Sequence, residues 1–169
     1  MKRVAKFEKV SMEQFMEGFC GCFSDYKEDE IKQIYNDLPL PKRATKGSAG
    51  YDFYAPTTFT LKPGETVKVP TGIRIKMEEG YVLSLYPRSS LGFKYRLQLD
   101  NTVGIIDSDY YHSDNEGHIF VKVTNDSKGV KVLYVDQFST FVQGIFTEYF
   151  ITEDDEVEQE RNGGIGSTS

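Results

Sequence analysis

The sequence predicts a mainly β protein, a distorted jelly roll of the β-clip barrel kind. A helical hairpin is inserted near its start and a flexible C-terminal arm follows its last strand. Three observations predict the fold class. From 67 to 77, Val67, Val69, Ile73, Ile75 and Met77 alternate with Lys68, Arg74 and Lys76 across a Pro70-Thr71-Gly72 break. Turn-forming clusters recur at Pro63-Gly64, Glu79-Gly80, Asn115-Glu116-Gly117 and Asn125-Asp126-Ser127-Lys128-Gly129. Short apolar runs sit between them, at 81–86, 119–123, 130–135 and 141–146. Many short strands at such spacing close into a sandwich, jelly roll or barrel.

In chain order, residues 2–10 read as a short strand. Ser11-Met12-Glu13-Gln14 has the form of a capping box and precedes Phe15, Met16 and Phe19 at helical spacing. Asp25, with Glu28 three residues on, opens a second helix whose stripe is Ile31, Ile34 and Tyr35. Residues 11–36 are therefore a helical hairpin, and its stripe packs on the protein's own core. Pro39 and Pro41 end it, because proline breaks helices and extends the residue before it. The β domain runs over 1–150. Residues 151–169 hold an acidic linker, 153–160, and a glycine-rich arm. The linker's charges repel one another, let the arm reach away and keep Arg161 off its own subunit's phosphate sites.

Composition narrows the function classes. At 169 residues and 38% hydrophobic content the chain is long enough for one domain with a real core. A net charge of −6 argues against broad nucleic-acid binding, which needs a basic footprint, but allows a small anion held by local cations. No apolar run spans a membrane, and Met1-Lys2-Arg3 leads into mixed polar sequence, so a cytoplasmic protein is expected. Cys20 and Cys22 lack a second pair to complete a zinc site and read as ordinary thiols.

Five segments carry chemistry. In the tail, Arg161 offers a fork of donors, Gly163, Gly164 and Gly166 free the backbone, and Ser167 and Thr168 add hydroxyls around Ile165. Such a tail wraps a phosphate or frays in solvent. Pro87-Arg88-Ser89-Ser90 follows a strand and opens a helical turn facing an anion, or else is a helix cap with a surface arginine. In 101–110, Asp107 closes the Val103-Gly104-Ile105-Ile106 run and sets a carboxylate at the mouth of a dry pocket, able to orient or deprotonate water; an Asx turn is the alternative. Gly104 lets a planar ligand approach the backbone. Asp52 lies in a β-like stretch and calls for a partner such as Arg88, as a structural ion pair or a catalytic one. Gln143 reaches a phosphate or satisfies backbone.

Taken in order and at these spacings, the segments resemble the homotrimeric dUTP diphosphatases (dUTPases). Residues 48–52, 87–91 and 104–110 look like the first three of that family's five motifs, 143–146 like the end of the fourth, and 161–168 like the fifth. The likeness covers residues 38–169. It implies a trimer with shared active sites that hydrolyses dUTP to dUMP and pyrophosphate, limiting uracil in DNA and supplying dUMP for thymidylate synthesis. Asp107 is then the residue that activates the attacking water. Asn101 and the Gly104, Ile105, Ile106 backbone read uracil, Tyr110 packs on the deoxyribose, and Phe120 joins the substrate-binding set. Arg88, Ser89, Ser90 and Gln143 hold phosphates, supported by Asp52. Arg161 to Thr168, including Gly163, Gly164, Ile165, Gly166 and Ser167, close over a neighbour's site. Mg²⁺ is carried by triphosphate and water, with no direct protein ligand. The location implied is the cytoplasm, the host's if a virus encodes the chain; nucleic acid and membrane are not partners.

Four departures from the family pattern stand out. Ile165 replaces the usual phenylalanine that stacks on uracil. Ser139 and Thr140 stand where an Asp-Arg pair usually precedes the fourth motif. Residues 111–117 and 11–36 are extra, as decoration or as a surface for a protein partner. Two rival readings remain: a dCTP deaminase on the same fold, for which Glu116 is poorly placed because it falls in a loop, and a regulatory interaction protein that uses the insertions.

Overall fold

The alternating stretch forms β5 (Thr66–Pro70) and β6 (Ile73–Met77), split where the sequence breaks. Gly72 makes that split possible. Its φ is +70°, and a Cβ there meets Leu38 at 2.7 Å and Phe15 at 3.0 Å, so glycine both turns the chain and admits the helical layer. The computed structural model describes residues 1–158 and Arg161. Around β5 and β6 run β1 (Ala5–Lys9), β2 (Lys42–Arg43), β3 (Tyr51–Tyr54), β4 (Phe59–Leu61) and β7 (Tyr81–Pro87). Then come β8 (Leu97–Leu99), β9 (Gly104–Ile106), β10 (Phe120–Asn125), β11 (Leu133–Val135) and β12 (Thr140–Glu148). Helices are α1 (Met12–Cys20), α2 (Glu28–Asp37) and α3 (Ser89–Tyr95), with a 3-10 turn at Ser108–His112.

All the strand pairings are antiparallel. A five-stranded sheet in the order β2-β3-β12-β7-β9 faces smaller sheets, β5-β10-β8, β1-β6 and β11-β4. Phe53, Leu83, Leu85, Ile119, Leu133 and Phe141 fill the main core. This is the expected mainly β jelly-roll class. Strand register decides which side chains become neighbours. Asp52 pairs with Gln143, and Leu85 pairs with both Gly144 and Gly104, so segments far apart in sequence meet on one sheet.

The hairpin stripe packs on its own molecule, as expected. Phe15, Phe19, Ile31 and Ile34 bury against Val10 and Leu38. Its caps differ from the sequence reading. Asp25 does not open α2. Lys27 occupies the N-cap position, and the Glu30 carboxylate accepts the Lys27 N–H at 2.7 Å, because a glutamate at the third helical position reaches back to that donor. At α1, Ser11 Oγ accepts the Gln14 N–H at 3.1 Å, but Gln14 does not return the bond. The Ser11 N–H donates instead to Glu116 Oε2 at 2.7 Å, and Ser11 Oγ donates to Glu116 Oε1 at 2.6 Å. The two insertions therefore grip each other. A further difference lies in the 130–135 run, of which only Leu133–Val135 is strand. Gly129 turns at φ +126°, Asn125 Nδ2 holds the Lys131 carbonyl at 2.9 Å, and Val130 is left in solvent. No helix among the described residues is long and apolar enough to cross a membrane.

His118 is fully buried where α1 meets the sheet, and its Nε2 accepts the Gly72 N–H at 2.9 Å. Burial pushes its pKa from 6.5 down to about 4, against a smaller opposing pull from Glu116. The fold holds the neutral ring, so unfolding takes up a proton below pH 6.5. The contribution is complete above pH 6.5 and is lost as pH falls toward 4, up to about 3 kcal/mol. Urea unfolding at pH 7 and pH 4.5 should show this loss, and His118→Gln should flatten it. Parallel stability–pH curves for the two proteins would remove His118 as the cause.

Candidate active site

Two hollows flank the five-stranded sheet. The first, about 540 Å³, gathers Asp52, Arg88, Ser89, Ser90 and Gln143 against the Ser48-Ala49-Gly50 loop. They come from three elements: Asp52 from β3, Gln143 from β12, and Arg88, Ser89 and Ser90 from the N-cap and first turn of α3. Arg88 Nε lies 3.5 Å from Asp52 Oδ1, the partnership the sequence called for. Because Asp52 meets Nε, its contact leaves the two Nη nitrogens of the fork for another acceptor. Gln143 Nε2 donates to the Pro87 carbonyl at 3.4 Å. Its Oε1 occupies the space that a side chain at Gly50 would need, 2.5 Å from a Cβ built there. Arg43, unremarked in the sequence, donates from Nη1 to the Lys46 and Ser48 carbonyls at 2.9 and 3.0 Å and so fixes the loop over this cradle.

The second hollow, about 640 Å³, brings together Asn101, Gly104, Ile105, Ile106 and Phe120 with Leu99. Its shape follows from sheet order. β9 is an edge strand, paired only with β7, so one row of its backbone N–H and C=O groups is not used by the sheet. A planar ring with its own donors and acceptors is the natural complement to such an edge beside apolar walls. Gly104 serves this differently from the sequence expectation. A Cβ there would meet Leu85 Cβ at 3.0 Å, so Leu85 on β7 takes the space glycine leaves.

Asp107 follows β9 and heads the 3-10 turn, with its side chain about half exposed (48%). It lines neither hollow but stands one residue beyond the second. Arg161 Nη2 lies 2.6 Å from Asp107 Oδ2, and its Nε lies 2.9 Å from Asp109 Oδ1. Its guanidinium carbon is 5.8 Å from the Tyr110 ring centre. Arg161 thus docks on its own chain, on carboxylates rather than on the hollow of Arg88, Ser89, Ser90 and Gln143. The two carboxylates hold it jointly, because a planar fork can bridge both at once. Tyr110 is buried; its hydroxyl donates to the His118 carbonyl and accepts from Asn115 Nδ2, both at 2.8 Å. Burial raises its pKa. Asp109 and Asn115 were not singled out in the sequence. The only signal was their closeness to Asp107 and a turn cluster.

Gly163, Gly164, Ile165, Gly166, Ser167 and Thr168 lie outside the described residues. Among the described residues no group of three or more His, Cys, Asp or Glu is placed to hold a metal. Glu116 is committed elsewhere: its carboxylate is taken by Ser11, it lies 3.7 Å from Arg74, and its pKa is lowered chiefly by the Ser11 hydroxyl. It is not free for the deaminase role.

Comparison with known proteins adds a family. The dUTPase family model matches residues 36–169. The deoxyuridine 5'-triphosphate nucleotidohydrolase of Lactococcus lactis is 42% identical over 134 residues, spanning 78% of this chain and 88% of that protein. A crystal structure of dUTPase from Streptococcus mutans is 32% identical, covers 87% of this chain and 98% of its own, and superposes with a TM-score of 0.62. The dUTPase of phage phi11 of S. aureus shares the fold at 19% identity, with a TM-score of 0.62 over 93% of this chain and 98% of its own; its structure shows a coordinated structural Mg(II) ion.

The cradle makes its own test. Gly50→Ala forces Gln143 Oε1 to move, so inorganic pyrophosphate should bind roughly tenfold more weakly, about 1.4 kcal/mol. Calorimetric titration of the folded variant checks this, and wild-type affinity would show that Gln143 does not face the anion.

Proposed function

The chain belongs to the dUTPase family and is a nucleotide hydrolase acting on dUTP; from that premise we propose how it acts. The observation that carries the reading is the path of β9. This edge strand runs along a hollow walled by Leu85, Leu99, Phe120 and Val121 and rimmed by Lys68, Asp100 and Lys122, and it leads to the Asp107 carboxylate at its end.

In this reading uracil lies against β9. The backbone of Gly104, Ile105 and Ile106 pairs with its edge, and Asn101 adds an amide. The walls leave no room for thymine's methyl group, and cytosine presents an amino donor where the site offers donors of its own. The Tyr110 ring, held by its committed hydroxyl, packs on the deoxyribose and excludes a 2′-hydroxyl. Arg88, Ser89, Ser90 and Gln143 take the phosphates, with Asp52 steadying Arg88. Asp107 accepts a proton from water as that water attacks the α-phosphorus. The bond from that phosphorus to the bridging oxygen breaks, and pyrophosphate leaves. The protein's task is positioning and charge stabilisation, which suits fixed backbone and a guanidinium.

Two hollows on one chain, each holding part of the required set, fit a homotrimer in which neighbouring subunits complete one site. The arm then moves Arg161 from the carboxylates to phosphate, an exchange of one oxyanion set for another. Gly163 to Thr168 follow over the nucleotide. Mg²⁺ would be held by the triphosphate and water and would supply neutralisation of phosphate charge beside Arg88, Ser89, Ser90 and Gln143. Hydrolysis on these terms limits uracil entry into DNA, supplies dUMP and belongs in the cytoplasm.

A panel of dUTP, dTTP, dCTP and UTP should release pyrophosphate from dUTP alone at an appreciable rate. Chelation by EDTA should stop it and added Mg²⁺ should restore it. Asp107→Asn should cost about 10²–10⁴-fold in kcat; undiminished turnover refutes the assigned base. Ammonia release from dCTP would favour the deaminase instead. Deleting residues 161–169 should cripple turnover without unfolding the protein, and a normal rate in the truncated chain would end the arm's role.

A further inference from the structure

Residues 11–36 look like decoration in the sequence, yet α1 lies against the back of Phe120, and its N-cap Ser11 reaches the loop that holds Tyr110. Gly18, buried in α1, faces Phe120 and His118. A Cβ at Gly18 would stand 2.9 Å from Phe120 Cζ and 2.8 Å from His118 Cε1. The His118 and Phe120 rings lie 4.3 Å apart, Phe15 of α1 stacks on His118 at 6.5 Å, and Lys68 Nζ sits 4.5 Å over Phe120. The Phe120 ring is thus held between α1, His118 and Lys68, with the open hollow as its remaining side.

A second contact runs from the first turn of α1. Ser11 donates two hydrogen bonds to Glu116, whose backbone φ is +57°. Asn115, beside it, donates to the Tyr110 hydroxyl. Gly117, at φ +71°, presses on the backbone: a Cβ there would lie 2.7 Å from the Tyr110 carbonyl oxygen. Tyr111 is pinned as well, its carbonyl accepting from Arg74 Nη2 at 3.0 Å and its hydroxyl donating to Glu8 at 2.8 Å. The loop that follows Asp107 is therefore anchored to the start of α1.

We propose that α1 is a positioning element of the nucleoside hollow, with Gly18 setting the depth of Phe120 and the Ser11–Glu116 clamp setting Tyr110. This rests on the reading of that hollow as the uracil and deoxyribose site. A side chain at 18 drives Phe120 off the helix, and the hollow is the side with space to receive it. Loss of the clamp frees the Tyr110 loop and relaxes rejection of the 2′-hydroxyl.

The test uses the full chain and steady-state kinetics with dUTP and UTP, alongside thermal melts. Gly18→Ala should raise KM for dUTP roughly tenfold with kcat within about twofold, the signature of lost binding rather than lost chemistry. Glu116→Ala should narrow the preference for dUTP over UTP about tenfold, and Ser11→Ala should add little to it, because both remove one clamp. A merely structural helix would lower the melting temperature of these variants and leave KM and the UTP preference unmoved, which overturns the proposal. If Gly18→Ala does not fold, the Glu116 and Ser11 variants decide alone. A wild-type protein inert toward dUTP strikes the functional reading, and this inference with it. An active wild type with unmoved variants strikes the inference only.

Discussion

The central position of β12 is the constraint on which the site depends. It pairs with β3 on one side and β7 on the other, and β7 in turn carries β9. Gly144 lets that packing close: a Cβ there would lie 2.7 Å from Leu83 Cδ1 and 3.1 Å from Phe53 Cε2. With the strands this close, the register is fixed by which side chains enter the core, and a one-residue slip would turn every buried face outward. That register sets Gln143 beside Asp52 and Leu85 beside Gly104. The two hollows proposed for phosphate and nucleoside are thus consequences of one packing solution.

Electrostatics act on top of this frame. The chain is acidic overall, with a net charge of −6, so attraction of a polyanion has to be local. Arg88 is held by Asp52, and Arg161 by Asp107 and Asp109. In each case a carboxylate holds a guanidinium that the proposed reading assigns to phosphate. Such pairs contribute little to stability when partly exposed, but they limit the conformations an arginine samples before it binds. The Arg161 pair also engages Asp107, so on the proposed reading a move of Arg161 to phosphate would release that carboxylate.

The insertions share this economy of contact. α1 and α2 form their own small core of Phe15, Phe19, Ile31 and Ile34. Tyr54 and Phe138 pack on that core, and polar, specific contacts add to the join: the Ser11–Glu116 bonds and the acceptance of the Gly72 N–H by buried His118. Buried polar groups must be satisfied, so these contacts fix how the hairpin sits where apolar packing alone would leave it free to slide.

Much of this molecule was legible before folding. Alternation between 67 and 77, the turn clusters, and proline at 39 and 41 are short-range signals, and the strands and the hairpin followed from them; the likeness to a nucleotide hydrolase rested on the motif segments at 48–52, 87–91, 104–110, 143–146 and 161–168. The Asp52–Arg88 pair was legible too, since a carboxylate inside a strand has few ways to be stabilised. Local pattern could not say which donor an end-capping serine would satisfy, because Ser11 and Glu116 are 105 positions apart. Nor could it show that Leu85 would fill the space left by Gly104, or that Arg161 would settle on Asp107 and Asp109. Those outcomes depend on strand register and on side chains meeting across the fold. The energies that choose between such meetings exist only once the chain has closed on itself.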